Sequence, residues 1–273
     1  FGMPCLGSRL ASGKLSKAEA HTLVARDGQS LPDAWREAGL NPDLMGPDDV
    51  LLEASCFVEL HVEQGRGLAD VGHPVAIATA VRPHGRWRAE FTGQGNHAGT
   101  TLIPDRHDPV VPMAQTILAA REAAEREGCV TTVGRINVEP GGTNVIASAA
   151  TMWLDCRAEE SQTVTKVVED IQQASETAAD KQGCQVVWTR ESWTDRTAFD
   201  LRARMLQILG EDIPQLSTGA GHDAATLATT MPTGMLFVRN PTGASHCPAE
   251  SASDADCEAG AEALQTVLEE LVK

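Results

Sequence analysis

A chain of 273 residues, 42% of them hydrophobic, is long enough for two modest domains and too apolar for wholesale disorder. Its formal net charge of -16 argues against nucleic acid and anionic membranes as partners, because both are bound through a basic face. No run of about 18 apolar residues offers a membrane span, and seven cysteines scattered singly without a CxxC pair read as reduced thiols in a cytoplasmic protein, not as a thiolate zinc site.

The opening FGMPCLGSRL has neither the basic nor the apolar segment of a secretory signal. It also lacks an initiator Met, so Phe1 is not expected to be the natural start. SKAEAHTLVARDG carries a Ser16 cap and ends at Gly28, and LPDAWREAGL is a short amphipathic turn and helix closing at Gly39. CFVELHVEQG reads as a mostly buried strand ending in polar residues, with His61 near its carboxyl end. Acidic and imidazole groups on such a strand require partners.

A new pattern begins near Arg82. GRWRAEFTG alternates strictly, with Trp87, Ala89 and Phe91 on one face and Arg86, Arg88 and Glu90 on the other, as a half-solvated strand does. PVVPMAQTILAAREAAERE places Val110, Ala114, Ile117 and Leu118 at helical spacing. VTTVGRINVEP and NVIASAATMWLDCR read as strands joined by the turn Pro140, Gly141, Gly142. SQTVTKVVEDIQQASETAADKQG is an amphipathic helix, apolar at Val164, Val167, Val168, Ile171 and Ala178, and CQVVWTR is a further strand. The order β-α-β-β-α-β is the ferredoxin-like, split βαβ arrangement. Beyond it, FDLRARMLQILG is helical, GMLFV is a short buried strand, and a terminal helix carries Ala261, Leu264, Leu268 and Leu271. The expected architecture is an α/β domain built from residues 1–81 and 196–273, with a small α+β domain, 82–195, inserted in it.

Four polar clusters fall at loops or strand ends, where sites tend to sit. His61 to Gly65 (HVEQG) offers an imidazole that either ligates a metal or is a hydrogen-bonded structural histidine. GASHCPAE around His246 poses the same alternative in a loop whose glycine lets backbone approach a ligand. STGAGHDA around His222 is either a cradle of backbone N–H groups or an ordinary helix start. The last cluster combines FTGQGNHAGTTLIPDRHD around His97 with Asn144 and Arg157. Arg157 is either a two-pronged carboxylate receptor or a surface arginine. None of these is specific alone, and HExxH, GxSxG, Walker and dinucleotide signatures are all missing.

Taken in order, FGMPCLGSRLASGKL, VELHVEQG, GQGNHAGTT, PGGTNVIAS, LDCR, STGAGHDAA and GASHCPAE resemble the N-carbamoyl-L-amino acid hydrolases. They equally resemble the allantoate amidohydrolases, ureidoglycolate-type amidohydrolases and β-ureidopropionases. The resemblance covers essentially the whole chain. It implies a metallo-aminopeptidase-like α/β catalytic domain, here partial, with a ferredoxin-like α+β lid and dimerisation domain inserted. It also implies two divalent ions, Zn²⁺ or Mn²⁺ with Co²⁺ or Ni²⁺ as substitutes, a homodimer through the lid, and a small carboxylate substrate. Carried over by residue, His61 and His246 match metal ligands, and His97 matches a lid histidine that meets the developing oxyanion in the partner subunit's site. Asn144 and Arg157 match the groups that hold the substrate carboxylate, while Gln64 and His222 fall where other substrate contacts are expected.

The sequence departs from the resemblance in one respect. The His-x-Asp segment and the Glu-Glu pair that supply the remaining ligands and the general base lie upstream of FGMPCLGS in that family. Neither Glu159-Glu160 nor Glu269-Glu270 can replace them. Residues 1–273 alone are therefore expected to lack amidase activity. The alternatives are a peptidase or aminoacylase of the same superfamily, and a non-catalytic dimeric remnant.

Overall fold

The computed structural model describes all 273 residues, in two compact units: Phe1–Val81 with Thr197–Lys273, and Arg82–Arg196. The first unit opens with short helices α1 (Leu6–Ala11), α2 (Lys17–Thr22), α3 (Leu31–Glu37) and α4 (Asp49–Glu53). Ser16 starts α2 through a capping box: its hydroxyl accepts the Glu19 N–H while the Glu19 carboxylate accepts the Ser16 N–H. Too short to persist alone, these helices share a buried cluster of Leu10, Leu15, Ala20, Leu31 and Met45. Then come β1 (Phe57–Val62), α5 (Gly67–Val71) and β2 (Val75–Val81).

The second unit runs β3 (His84–Thr92), β4 (Asn96–His97), α6 (Val110–Glu127), β5 (Val130–Glu139), β6 (Val145–Ile146), β7 (Ala149–Arg157), α7 (Ser161–Lys181) and β8 (Gln185–Thr194). The long strands form one antiparallel sheet in the order β5-β7-β3-β8. Trp87, Ala89 and Phe91 of β3 and Ala150, Met152, Leu154 and Cys156 of β7 are buried with residues of α6 and α7. On α7 the expected stripe is the core face, with Val164, Val167 and Ile171 fully buried, each stabilising by about 1.5–3 kcal/mol. On α6 the pattern is right in part, since Val110 and Ile117 pack against the core. Leu118 is 64% exposed and Ala114 is exposed, while Met113, Thr116, Ala120, Ala123 and Ala124 are buried. Small side chains there set the close approach of α6 to α7 and the sheet.

The first unit is completed by β9 (Thr197–Ala198), α8 (Arg202–Leu209), β10 (Gln215–Thr218), α9 (Asp223–Leu227), β11 (Thr233–Val238) and α10 (Asp254–Leu271). Its sheet runs β1-β11-β2-β10, with β9 beside β2. The β1–β11 and β2–β10 pairs are parallel, and β11–β2 is antiparallel. Side chains alternate between two cores. Val58 and Leu60 of β1 join Leu236 of β11 and Val267 of α10, whereas Phe57 joins Met235, Phe237 and Ala224 on the opposite face. By the two-residue period of a strand, Glu59 and His61 share the face of Phe57. Every residue of β1 is only half-buried, not mostly buried as the pattern suggests, because within residues 1–273 β1 pairs on one side only.

Candidate functional site

Because β1 and β11 are parallel and in register, His61 opposite Phe237 and Val62 opposite Val238, their carboxyl ends open together into residues 63–66 and 239–250. Ligand sites of open α/β sheets lie at such ends. The His61 Nδ1 donates to its neighbour's carbonyl, Val62 O, at 2.7 Å. A carbonyl can only accept, so Nδ1 carries a proton, and in the neutral ring Nε2 keeps its lone pair. His222, between β10 and α9, repeats the arrangement: Nδ1 donates to Ala220 O at 3.0 Å. Its ring stands edge-on to His61, with centroids 4.8 Å apart and planes at 89°. The His222 Nε2 is buried and has no hydrogen-bond partner. Burial, and then the neighbouring His61, push the His222 pKa down to about 4, so this imidazole is neutral at pH 7.

The acidic groups nearby divide by role. Glu63 accepts from Gly67 N at 2.7 Å and Leu68 N at 2.8 Å, capping α5. Glu59 accepts from Ala224 N at 2.6 Å, joining β1 to the first turn of α9. Burial raises its pKa against the opposing pull of the Ala224 amide and His61. Asp223 accepts the Ser8 hydroxyl at 2.6 Å.

The loop after β11 is held in an unusual form. His246 has φ +57, a left-handed conformation that non-glycine residues rarely adopt. Its N–H donates to Glu250 Oε2 at 2.8 Å, and the Ser245 hydroxyl donates to the other Glu250 oxygen at 3.3 Å. The Gln64 amide nitrogen donates to Ser245 Oγ at 3.0 Å and to His246 Nε2 at 3.3 Å, linking the segments that follow β1 and β11. Buried Asn240 braces the turn, accepting from Thr242 N and Gly243 N and donating to Ala244 O. Gly243 is obligatory, since its φ is +67 and a Cβ would lie 2.2 Å from Arg66 Cγ.

No three His, Cys, Asp or Glu side chains converge as a complete metal cage. The donors present nonetheless suit part of one. Ligating imidazoles generally donate the second ring N–H to a carbonyl or carboxylate, as His61 does, and His246 Nε2 carries a lone pair facing the Gln64 amide.

In the second unit the register of β4 and β6 sets His97 opposite Val145, and the Ala98 N–H donates to Asn144 O at 3.0 Å. His97 and Asn144, both exposed, therefore share one end of the unit. The His97 Nδ1 accepts from Gly99 N at 3.0 Å and Thr100 N at 3.2 Å. It carries no proton, so the neutral ring bears its N–H at Nε2, the opposite tautomer to His61 and His222. Arg106 secures the turn by donating to Thr101 O and Ala98 O. His107 bonds to Gln182 O, and Asp108 accepts the Val110 N–H at the start of α6. Those two neighbours of Arg106 are structural.

Arg157 lies at the far end of β7, whose nine residues span roughly 30 Å at about 3.3 Å each. One copy of the chain does not bring Arg157 together with Asn144. The Arg157 fork lies on Asp155, Nε to Oδ1 at 2.6 Å and Nη2 to Oδ2 at 2.9 Å, and Arg86 Nε reaches Oδ2 at 3.2 Å. Burial pushes the Asp155 pKa up, but the bonds and charges of Arg157 and Arg86 outweigh it and hold the carboxyl below its usual range.

Sequence reasoning passed over Glu59 and Glu250. A faint signal existed for Glu59, a carboxylate two residues before His61 and so on the same strand face. Glu250 had none beyond its place four residues after His246.

Known proteins share this arrangement of elements. The chain is 36% identical over 274 residues to an N-carbamoyl-L-amino acid amidohydrolase of Geobacillus stearothermophilus, a match covering 97% of this chain and 66% of that protein. It is 27% identical to the allantoate amidohydrolase of Escherichia coli, covering 97% and 66%. The crystal structure of AtUAH in complex with (S)-hydroxyglycine superposes with a TM-score of 0.79 at 30% identity, over 99% of this chain and 68% of that one. The chain thus spans about two thirds of the length of the curated relatives it matches. Residues 37–270 match the pattern of peptidase family M20/M25/M40, and the chain belongs to that family.

Proposed function

We propose that the protein hydrolyses a linear ureido or amide C–N bond in a small carboxylate substrate of the N-carbamoyl amino acid or allantoate type, with divalent metal as cofactor. The observation that carries this reading is the division of tautomers. His61 and His222 hold unprotonated Nε2 atoms in the first unit, whereas His97 holds a protonated Nε2 in the second. Lone-pair imidazoles suit a cation, and an imidazole N–H suits an oxyanion. The named relatives support the same chemistry.

In this reading His61 and His246 hold two Zn²⁺ or Mn²⁺ ions together with ligands from outside residues 1–273. When bound, the metal polarises the carbonyl and lowers the pKa of water. His97 donates from Nε2 to the oxygen on which charge develops, an interaction that strengthens only toward the transition state. Arg157, oriented by Asp155, receives the substrate carboxylate. Asn144 lies beside His97 and far from Arg157 in one chain, which supports a homodimer through residues 82–196 in which His97 and Asn144 serve the neighbouring copy's site. Gln64 keeps the His246 loop in place, and His222 offers Nε2 to a hydrogen bond in the same site.

The test is a substrate panel with Zn²⁺ or Mn²⁺, using the chain expressed with and without its upstream coding sequence. Turnover of N-carbamoyl amino acids or allantoate by the longer protein is expected, with none by residues 1–273 alone. Turnover of dipeptides or N-acetyl amino acids instead would replace this reading with a peptidase or aminoacylase. Mixing inactive His97→Ala and Arg157→Ala copies should restore activity, and no recovery would remove the partner role of His97.

A further inference from the structure

Residues 5–8 and Glu59 have no part in the proposed reaction, yet both reach the turn that carries His222. The Ser8 hydroxyl donates to Asp223 Oδ1 at 2.6 Å. Cys5, just before α1, is held at φ +53, a conformation costly for a residue with a Cβ and one that persists only where its surroundings enforce it. Burial and the nearby Asp223 charge raise its thiol pKa. The Lys14 ammonium donates to Thr226 O on α9. From the other side, Glu59 Oε2 accepts the Ala224 N–H at 2.6 Å across 165 residues of sequence. Within the turn, Ala220 N donates to Thr218 Oγ1 at 3.0 Å and Ala220 O receives the His222 ring N–H.

The turn is therefore fastened immediately before His222 at Ala220 and immediately after it at Asp223 and Ala224. Such fastening has a physical reason. The His222 Nε2 is buried without a partner, and a buried orphan acceptor carries a desolvation cost that the side chain would relieve by swinging outward, away from Ala220 O, where water can serve either tautomer. Something outside the ring must prevent that.

We propose that Glu59 and the Ser8–Asp223 pair are positioning residues, which hold His222 edge-on to His61 with its Nε2 unprotonated. The assignment rests on the reading of this strand-end cluster as the hydrolytic centre. It makes the amino-terminal FGMPCLGS segment an outer brace for a side chain more than 200 residues away, acting through one hydroxyl and one carboxylate.

The test uses the 273-residue chain with ¹⁵N-labelled histidine, reading two-bond ¹H–¹⁵N couplings, with His222 and His61 assigned from His222→Gln and His61→Gln. The unaltered protein should show the Nδ1–H form at both. Glu59→Ala should convert the His222 signal to a mixture of tautomers, and Glu59→Gln, whose amide oxygen can accept the Ala224 N–H, should restore it. Ser8→Ala should produce the same change more weakly. His97, in the other unit and of opposite tautomer, is the internal control for folding. An unchanged His222 signal in Glu59→Ala and Asp223→Ala would overturn the proposal, and so would an equal change at His97, which would indicate general loosening. If Glu59→Ala does not fold, Ser8→Ala and Glu59→Gln decide: displacement in the first with retention in the second is required.

In the longer, metal-loaded protein, Glu59→Ala should lower kcat about 10–100-fold, the range seen for supporting shells, with KM little changed and Glu59→Gln near the parent. The spectra and the substrate panel separate the two claims. Altered His222 tautomers without hydrolysis of any panel substrate would retain the braces and remove the hydrolase reading, whereas hydrolysis with unaltered tautomers would do the reverse.

Discussion

The two units handle polar chemistry in opposite ways. In the first, the candidate side chains are imidazoles and an amide, fixed by backbone carbonyls and by one another around an unsatisfied buried nitrogen. In the second, beside the exposed His97 and Asn144, the sheet carries charged side chains that are paired: Arg157 and Arg86 share Asp155, and Arg135 lies 4.1 Å above the Trp153 ring. Burying an uncharged group costs less than burying a charge, which must be paired before it leaves water. The first unit thus leaves a buried acceptor unpaired, whereas Arg86, Asp155 and Arg157 of the second are paired with one another.

Four measurements break or sharpen that contrast. The largest effect should come from the cores. Phe237→Ala and Phe91→Ala each remove a fully or almost fully buried ring and should cost about 3–5 kcal/mol. Hydrogen exchange should show the loss confined to β1, β2 and β11 in the first case and to β3 and β7 in the second. Loss of protection throughout from either change would mean that the units do not behave separately.

Acid titration comes next. The folded His222 pKa of about 4 lies below its ordinary 6.5, so the unfolded chain takes up this proton first. Stability should fall as the pH drops below 6.5 and level off below about 4, by roughly 3 kcal/mol at about 1.36 kcal/mol per unit. His222→Leu should flatten that part of the denaturation profile, and an unchanged slope would show that the ring is not buried in solution.

A smaller effect is expected at Asp155, whose depressed pKa means that its contribution is present above the ordinary carboxyl value of 3.8 and is lost as the pH falls through the folded value. Asp155→Asn should cost about 1–3 kcal/mol in urea denaturation at pH 7 and leave His61 signals untouched. The smallest is Gln64→Leu, which frees Ser245 and His246. About 1 kcal/mol is expected, with increased amide exchange limited to residues 243–250.

Legibility in the sequence followed periodicity. The strict alternation of β3 placed Trp87, Ala89 and Phe91 on the core side, and the stripe of α7 placed Val164, Val167, Val168 and Ile171. β2 escaped notice: VAIATAV is buried on both faces and so has no period to detect. β10 escaped because Ser217 and Thr218 read as the start of a polar loop. On α6 large side chains drew attention to Leu118 while alanines made the contact. The site was legible as residue types in order. Its tautomers were not, because they depend on carbonyls such as Val62 and Ala220 whose direction only the backbone course sets. Nor could any local pattern reveal a bond between Glu59 and Ala224.

The sheet order of the first unit also bears on synthesis. β1 is made 176 residues before β11, the strand it pairs with in this sheet, Phe57 to Thr233. At about 5–20 residues per second the ribosome needs roughly 10–35 s to supply that neighbour. The contiguous strands and helices of Arg82–Arg196 can close meanwhile, and the side of β1 that β11 pairs with must wait as an open edge. Nascent chains of this protein should therefore engage holdase chaperones through residues 57–62 until β11 is made.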